Sequence, residues 1–452
     1  MLILQWFLTF FIPLLAFSMI SAPSGSVSDN LAPVKLILLM VLSLVGGLWT
    51  LWNASKGIKF GAYLKRYGGN TLLILIVLYL IWIIVASVLS PLPGYAFLGA
   101  PNLQFGSLLL FLCFIVALIY SASHNMVWII YSFASTTLIM ALWAFIEATG
   151  FKPIAIWLHS ATMQFPAAAI GDRRHLGGWF AIMSLAPVFF YRNRMRDLWF
   201  WFWIISALVG IGLTTTTAAT IGVGIGLFSW LLWSIRFGSW KIPATILVLF
   251  GAFVVALPPV ATGTATLLGL KPPQLKDYGS TASFKPRLFL WKSAWNSVLN
   301  HPLFGQGDET FAYQVFNNLS ASDAQNLFRA ELGLSKDYQI SYGGFAFYAD
   351  NPKTKDHKAG SLIYVRAHDI VMDELYSHGF VGFGLLLGAI ASLFLYVRRR
   401  EPQSLFLFAI AIIPYIIYLL AWFYVPSVTP FFFILIGAMI ADLKKLNSGA
   451  RP

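Results

Sequence analysis

Apolar residues in this chain come in runs long enough to cross a bilayer, and that length is the tightest constraint on its fold. A membrane's hydrocarbon core is about 30 Å thick, which a helix spans with roughly 17–25 residues. Twelve such runs lie along the 452 residues, near 2–20, 34–53, 70–89, 103–121, 126–148, 176–191, 198–215, 217–235, 241–260, 378–397, 404–422 and 425–443. Only Thr214 to Thr217 separates the seventh from the eighth. Lipid offers backbone groups no partner, so a spanning chain is helical or a closed barrel. The unbroken runs lack the alternation of barrel strands. The expected fold class is an all-α integral membrane protein with about 12 transmembrane helices. Composition agrees: 58% of residues are hydrophobic and 10% charged, where a soluble domain has about a quarter charged, and mean hydropathy is +0.75. The first run has no basic stretch before it, so no cleaved signal peptide is expected.

Basic residues orient the spans. With the N-terminus inside, inner segments hold Lys56, Lys59, Lys65, Arg66, Arg192, Arg194, Arg196, Arg236, Lys241, Arg398, Arg399, Arg400, Lys444, Lys445 and Arg451, half of the 30 Lys and Arg. Short outer connections hold Lys35, Lys152, Arg173 and Arg174. The net charge of +13 is therefore a topology signal, and no nucleic-acid partner is needed to explain it. Both termini are expected in the cytoplasm. The chain divides into spans 1–9 (residues 1–260), a long outer segment (261–377), and spans 10–12 with a short tail (378–452). In the outer segment 11 basic and 11 acidic residues balance, and loops of this length are usually functional.

That segment opens on "PRLFLWKSAWNSVLNHPLFGQG", Pro286 to Gly307. Leu288, Trp291, Trp295 and Val298 recur at helical spacing, with Ala294 and Leu299 filling the stripe. Pro286 suits the first turn, and Asn300, Pro302, Gly305 and Gly307 end the helix. Such a tryptophan-bearing stripe suits the membrane interface. Arg287 opposes the helix dipole there, which makes sense if an anion joins it, although a solvated arginine is the plainer alternative. Residues 308–362 read as loop with short helices. The end, "YVRAHDIVMDELYSHGFVGFGLLLG", places His368, Met372 and Leu375 on one helical face with Asp369, Asp373 and Tyr376 beside it. In a first helical turn His368 would be held neutral by the dipole, as a general base requires. An ordinary loop histidine is the alternative. "GDRRHLGGW", Gly171 to Trp179, adds Arg173 and Arg174 on the face where cations are scarce; adjacent guanidiniums and Gly177–Gly178 suit a phosphate-bearing ligand or lipid headgroups.

Nucleotide loops, CxxC and HExxH are absent, and no His/Asp/Glu spacing suits a metal. No metal or cofactor is expected. Glu147 and Asp442, each near the end of its run, are the acidic residues within the runs, so an ion-driven transporter would be poorly equipped. Cys113 is the single cysteine.

The pair "RLFLWKSAWNSVLNHPLFGQG" and "AHDIVMDELYSHGFVG", flanking a long outer loop, resembles the O-antigen ligase and polymerase superfamily, and "GDRRHLGGWFAIMSLAP" fits the same pattern. The resemblance implies a GT-C-like glycosyltransferase of the bacterial inner membrane. It would act at the periplasmic face without metal or nucleotide, moving a glycan from undecaprenyl diphosphate to an acceptor hydroxyl, lipid A–core or another glycan or protein. By that resemblance His368 is the base that activates the acceptor and Arg287 holds the diphosphate. Arg173 or Arg174 is the arginine of the earlier connection, while Trp291, Trp295, Asp369 and Asp373 position substrate or the interface helix. Asp369 stands where the family carries Asn, Ser377 replaces its acidic residue, and "TTTTAAT" replaces its Ser–Arg pair. Ligase and polymerase both stay open. A transporter of lipid-linked solute is the reading from another class, and a plain scaffold leaves Arg287 and His368 unexplained.

Overall fold

The computed structural model describes residues 2–18, 32–55, 70–99, 106–123, 126–151, 166–271, 284–343 and 346–447. Lys56, Lys59, Lys65, Arg66, Lys152 and Arg451, counted above for topology, lie outside them. Among the described residues the helices are α1 (Leu2–Phe17), α2 (Ala32–Ser55), α3 (Asn70–Val88), a short α4 (Pro93–Leu98), α5 (Ser107–Ser121), α6 (Met126–Ala148), α7 (Arg173–Phe190), α8 (Leu198–Thr214), α9 (Thr217–Arg236) and α10 (Lys241–Leu267). After these come α11 (Phe284–Asn300), the single turn α12 (Phe311–Gln314), α13 (Ala321–Leu332), α14 (Ile370–Arg400), α15 (Ser404–Leu419) and α16 (Thr429–Asn447). A helix thus occupies each of the twelve apolar runs. By length and composition five qualify as membrane spans, within α3, α6, α9, α10 and α14. The others are shorter or less apolar.

The bundle is built around α7, whose residues from His175 to Phe190 are all buried. Helices α8, α9 and α15 pack against it, and α16 joins them. Gly177 and Gly178 make this possible: a Cβ on the first would meet Thr216 Oγ1 at 2.5 Å, and on the second the Tyr418 ring at 2.7 Å. Their close approach is to neighbouring helices, which corrects the reading of them as a phosphate cradle. The break at Thr214–Thr217 is real. Thr215 ends α8 in the left-handed region (φ 48°), and Thr216 begins α9. Lys35 is also corrected. It sits buried in the first turn of α2, not in a connection, and its ammonium donates to the carbonyls of Leu15 and Ala16 at 3.0 Å. Those are C-terminal carbonyls of α1, which have no partner within their own helix. At the opposite end Arg192 bonds Asp442 (2.8 Å) and Glu401 (3.2 Å), tying α7 to α16 and to the α14–α15 turn.

Between α10 and α14 lies a polar cap with its own small cores. It is not purely helical. Strands β1 (Gln339–Gly343), β2 (Ala346–Asn351) and β3 (Asp356–Ser361) form an antiparallel sheet in the order β1-β2-β3, with Ile340 opposite Ala349 and Tyr348 opposite Ala359. Ile340, Phe347 and Ala349 face Phe328 of α13, whereas β3 is exposed throughout. The expected all-α fold is therefore mostly helical with one small sheet. Its buried side chains, Ile340 on β1 and Phe347, Ala349 and Asn351 on β2, are too few to show a clear alternation.

Helix α11 begins one residue before Lys285 and holds Pro286 in its first turn. Its expected single stripe divides in two. Ala294 and Val298 turn inward with Leu290, while Leu288, Trp295 and Leu299 stay exposed, the apolar face an interfacial helix needs. Trp291 lies half-buried against the cap, edge-on to Phe284.

The chain after α11 is zipped to the middle of α14. Gln306 N donates to Tyr376 O (2.8 Å), Gly307 N to Ser377 O (2.9 Å), and Phe380 N to Pro302 O (2.8 Å). These bonds are possible because α14 breaks at Gly379, where φ is 65° and ψ −173°. Only glycine occupies that region without strain. A Cβ there would lie 2.2 Å from Leu303 O. Gly379→Ala is therefore expected to cost about 3 kcal/mol or more at this junction and to lower the apparent melting temperature by several degrees. Gly384→Ala, five residues on with open space around its Cβ, should not. Thermal melts of the two variants in detergent check this, and equal midpoints would refute it.

A candidate active site where the cap meets the bundle

Four chain segments converge beneath the cap. The first is the start of α7. Asp172 caps it, accepting from Arg174 N (2.7 Å) and His175 N (3.3 Å). This puts Arg173 and Arg174 in its first turn, pointing apart. Arg173 is buried and reaches Thr215 Oγ1 at 3.4 Å. Arg174 is half-buried and lies over the Trp422 ring, 5.3 Å from its centroid. The second segment is the start of α11, bearing Arg287. The third is the strap before α14, bearing His368. The fourth joins α15 to α16 and supplies Trp422 and Phe423, both buried and stacked on each other at 4.9 Å.

His368 stands against that aromatic pair, its ring 5.1 Å from each. It is not in a helical turn. Asp369 is the cap residue of α14, accepting from Val371 N (2.9 Å) and Met372 N (3.0 Å), and His368 precedes it with φ 59°. A non-glycine residue in the left-handed region costs about 1–3 kcal/mol and persists where surrounding structure enforces it. The helix-dipole account of its neutrality is replaced by a stronger one. Burial comes first, followed by the nearby Arg287 and Arg174, and together they push the imidazole down to about 3. Its Nδ1 is buried and has no hydrogen-bond partner. The same surroundings act on Arg287: burial and then Arg174 make its cation less favourable than usual. Two cations on two helix N-termini therefore face one neutral imidazole. Such a place is favourable for an anion and unfavourable when empty.

Asp369 and Asp373, expected to position substrate, hold backbone instead. Asp373 is buried and accepts from Ala367 N at 2.7 Å, so the two carboxylates fix the strap on either side of His368. Trp295 meets Phe380 edge-on at 6.3 Å, where α11 crosses the kink. The structure thus brings together His368, Arg287 and Arg174 and sets Asp369 beside them, whereas Trp291 packs on the cap core and Trp295 on Phe380.

A buried charge network carries the strap. Arg366 Nη1 donates to Asp308 Oδ1 (2.9 Å). His378 lies between two carboxylates, Nε2 3.2 Å from Asp308 Oδ2 and Nδ1 2.8 Å from Glu374 Oε2. Tyr79 of α3 donates to Glu374 (3.0 Å) and Ser107 of α5 to Asp308 (2.7 Å). Burial works against the Asp308 carboxylate, but His378 and Arg366 outweigh it and hold the carboxyl far below its usual range. A carboxyl group faces each ring nitrogen of His378, and Arg366 pairs with the same Asp308. Burying such groups costs several kcal/mol each unless all are paired, so this network fixes one geometry, the one that seats His368 two residues beyond Arg366. Sequence reasoning missed it. The i,i+4 pair Glu374–His378 was visible, but Asp308 and Tyr79 lie far away in the chain. The aromatic wall was equally hidden in a run taken as a span. Among the described residues no group of His, Cys, Asp or Glu is arranged to hold a metal ion.

The fold and site define a multi-pass membrane protein whose polar cap closes a cationic, histidine-bearing chamber at one end of a helical bundle. Residues 200–387, somewhat under half of the chain, match the family model described as O-antigen ligase, and over that stretch the chain is similar to this family. The match takes in α8 to α11, the whole cap and the kinked half of α14. No curated protein matches the chain.

Proposed function

We propose that the chain is a glycosyltransferase that moves a glycan from a lipid diphosphate carrier to an acceptor hydroxyl. The observation that carries this is the joint placement of Arg287, Arg174 and the neutral, unpartnered His368. The match to the O-antigen ligase family over residues 200–387 agrees with lipid-linked glycan substrates and glycan acceptors. Arg287 and Arg174 take the diphosphate, because rigid, permanently charged forks suit oxygen pairs. The acceptor O–H gives its proton to His368 while its oxygen bonds the anomeric carbon. The bond from that carbon to the diphosphate breaks, its electron pair stays on the carrier, and the arginines stabilise the departing charge. Attack opposite the leaving group inverts the anomeric centre. Donor binding also prepares the base: negative charge on the two arginines offsets their part in depressing His368, after that of burial, and so raises its proton affinity as the reaction needs it.

On this reading the carrier is undecaprenyl diphosphate, the acceptor is lipid A–core, and the chamber opens to the periplasm of a bacterial inner membrane, with both termini cytoplasmic. A polymerase that extends the carrier-linked glycan uses the same residues. In vitro transfer with purified protein, carrier-linked glycan and lipid A–core decides between them. Glycan on lipid A–core is the expected product. Longer chains left on the carrier would replace ligase by polymerase, and neither product from folded protein would refute the assignment.

A further inference from the structure

At the C-terminal end of α11, that helix and the turn after α12 line an open groove of about 330 Å³ formed by Asn296, Leu299, Asn300, Asn317, Asn318 and Leu319. That size is within the range of ligand sites. Its lining is unusual in two respects. Four of its six residues are asparagines, and none is charged. An amide offers two donors and an acceptor with two lone pairs, the complement of vicinal hydroxyls, which both donate and accept. The two leucines offer apolar surface to the C–H faces of a sugar ring.

The amides are not all consumed internally. Asn296 Nδ2 donates to the backbone oxygen of Asn318 (2.9 Å), another wall residue, while Asn317 Nδ2 bonds Gln314 Oε1 (3.2 Å) and Tyr313 O (3.5 Å) of α12, outside the lining. Asn318 Nδ2 is buried and has no partner. A buried donor left unpaired costs about 1–3 kcal/mol, so its retention needs a reason, and a ligand oxygen would supply one. Position supplies a second argument. Asn296 and Asn300 follow Arg287 on the same helix by nine and thirteen residues, hence about 14–20 Å at 1.5 Å per residue. A chain of several sugar units reaches from the diphosphate to the groove. Leu299 also belongs to the exposed apolar face of α11, placing the groove where a glycan leaves a lipid.

We propose that this asparagine groove is a saccharide subsite that takes a neutral stretch of glycan, separate from the chamber where transfer occurs. It rests on the glycosyltransferase reading, but it makes an independent claim about free sugar. The stretch belongs either to the donor glycan or to the acceptor glycan, which share this chemistry.

The test is saturation-transfer NMR on the full chain in lipid nanodiscs, with two probes that carry no phosphate. One is a neutral repeat-unit oligosaccharide, and the other is dephosphorylated core oligosaccharide. Wild type is expected to bind one of them, and which one names the source. Asn300 and Asn317 are exposed, so the double variant Asn300→Ala/Asn317→Ala should fold and should bind at least tenfold more weakly. Arg287→Ala should bind like wild type although it fails in transfer. Binding that survives in a preparation without any transferase activity would uphold the subsite while the reaction assignment fails. Equal binding by wild type and the double variant, or no binding of either probe to folded wild type, would overturn the proposal.

Discussion

His368→Ala is expected to lower glycan transfer by about 10²–10⁴-fold, the usual contribution of a positioned general base, while donor binding stays close to wild type. The ring touches Trp422 and Phe423 and makes no hydrogen bond through Nδ1, so its removal breaks no polar frame. Two pH effects separate a base from a packing residue. In the empty protein the folded-state value of about 3 lies below the ordinary 6.5 of an unfolded histidine. Between these limits the unfolded chain binds the extra proton, so the group's contribution to stability falls as pH falls from about 6.5 towards 3. Wild type should therefore lose more thermal stability than His368→Gln between pH 6.5 and 4.5. With donor bound, the acid limb of the transfer rate should reflect a histidine raised above 3 by the diphosphate. A rate loss of less than tenfold for the alanine variant, or parallel pH–stability curves, would count against His368 as the base.

Arg287→Ala should reduce the rate constant for transfer by about 10²–10³, the loss seen when one donor to a developing oxyanion is removed, and should weaken donor binding. Arg287→Lys should recover only part, because an ammonium keeps the charge and not the planar fork. A distinct signature follows from the neighbours. Arg287 is the largest charge acting on His368 after burial itself, so its removal should shift the acid limb of the remaining activity upward. Arg174→Ala should act in the same direction and less strongly. Steady-state kinetics against pH, with donor and acceptor varied separately, measures both quantities. An effect on acceptor affinity alone would reassign Arg287 to the acceptor side.

The positions of the twelve helices were legible because each depends on a local run of apolar residues, and burial in lipid or protein demands the same composition. The likeness to O-antigen ligases was legible for a related reason. The segments 287–307 and 367–384 carry glycines and charges that no spanning helix needs. Residues around His368 were readable as a group but not in their roles. Asp369 and Asp373 serve the backbone, because a helix start and a strap need acceptors for their N–H groups, and chain spacing cannot tell a cap from a ligand contact.

By itself the sequence determined a mostly helical membrane chain, a polar segment between spans, and the arginines and histidine of the candidate site. Tertiary structure decided which of two adjacent arginines faces the site. Arg173 and Arg174 are one residue apart, about 100° around a helix, and only the neighbours on each side, Thr215 and Trp422, distinguish them. It also decided the Asp308–Arg366–His378–Glu374 network and the kink at Gly379 that zips the two motifs together. Partners there are separated by as many as 295 residues. Their pairing is set by how helices pack, and no local pattern encodes it.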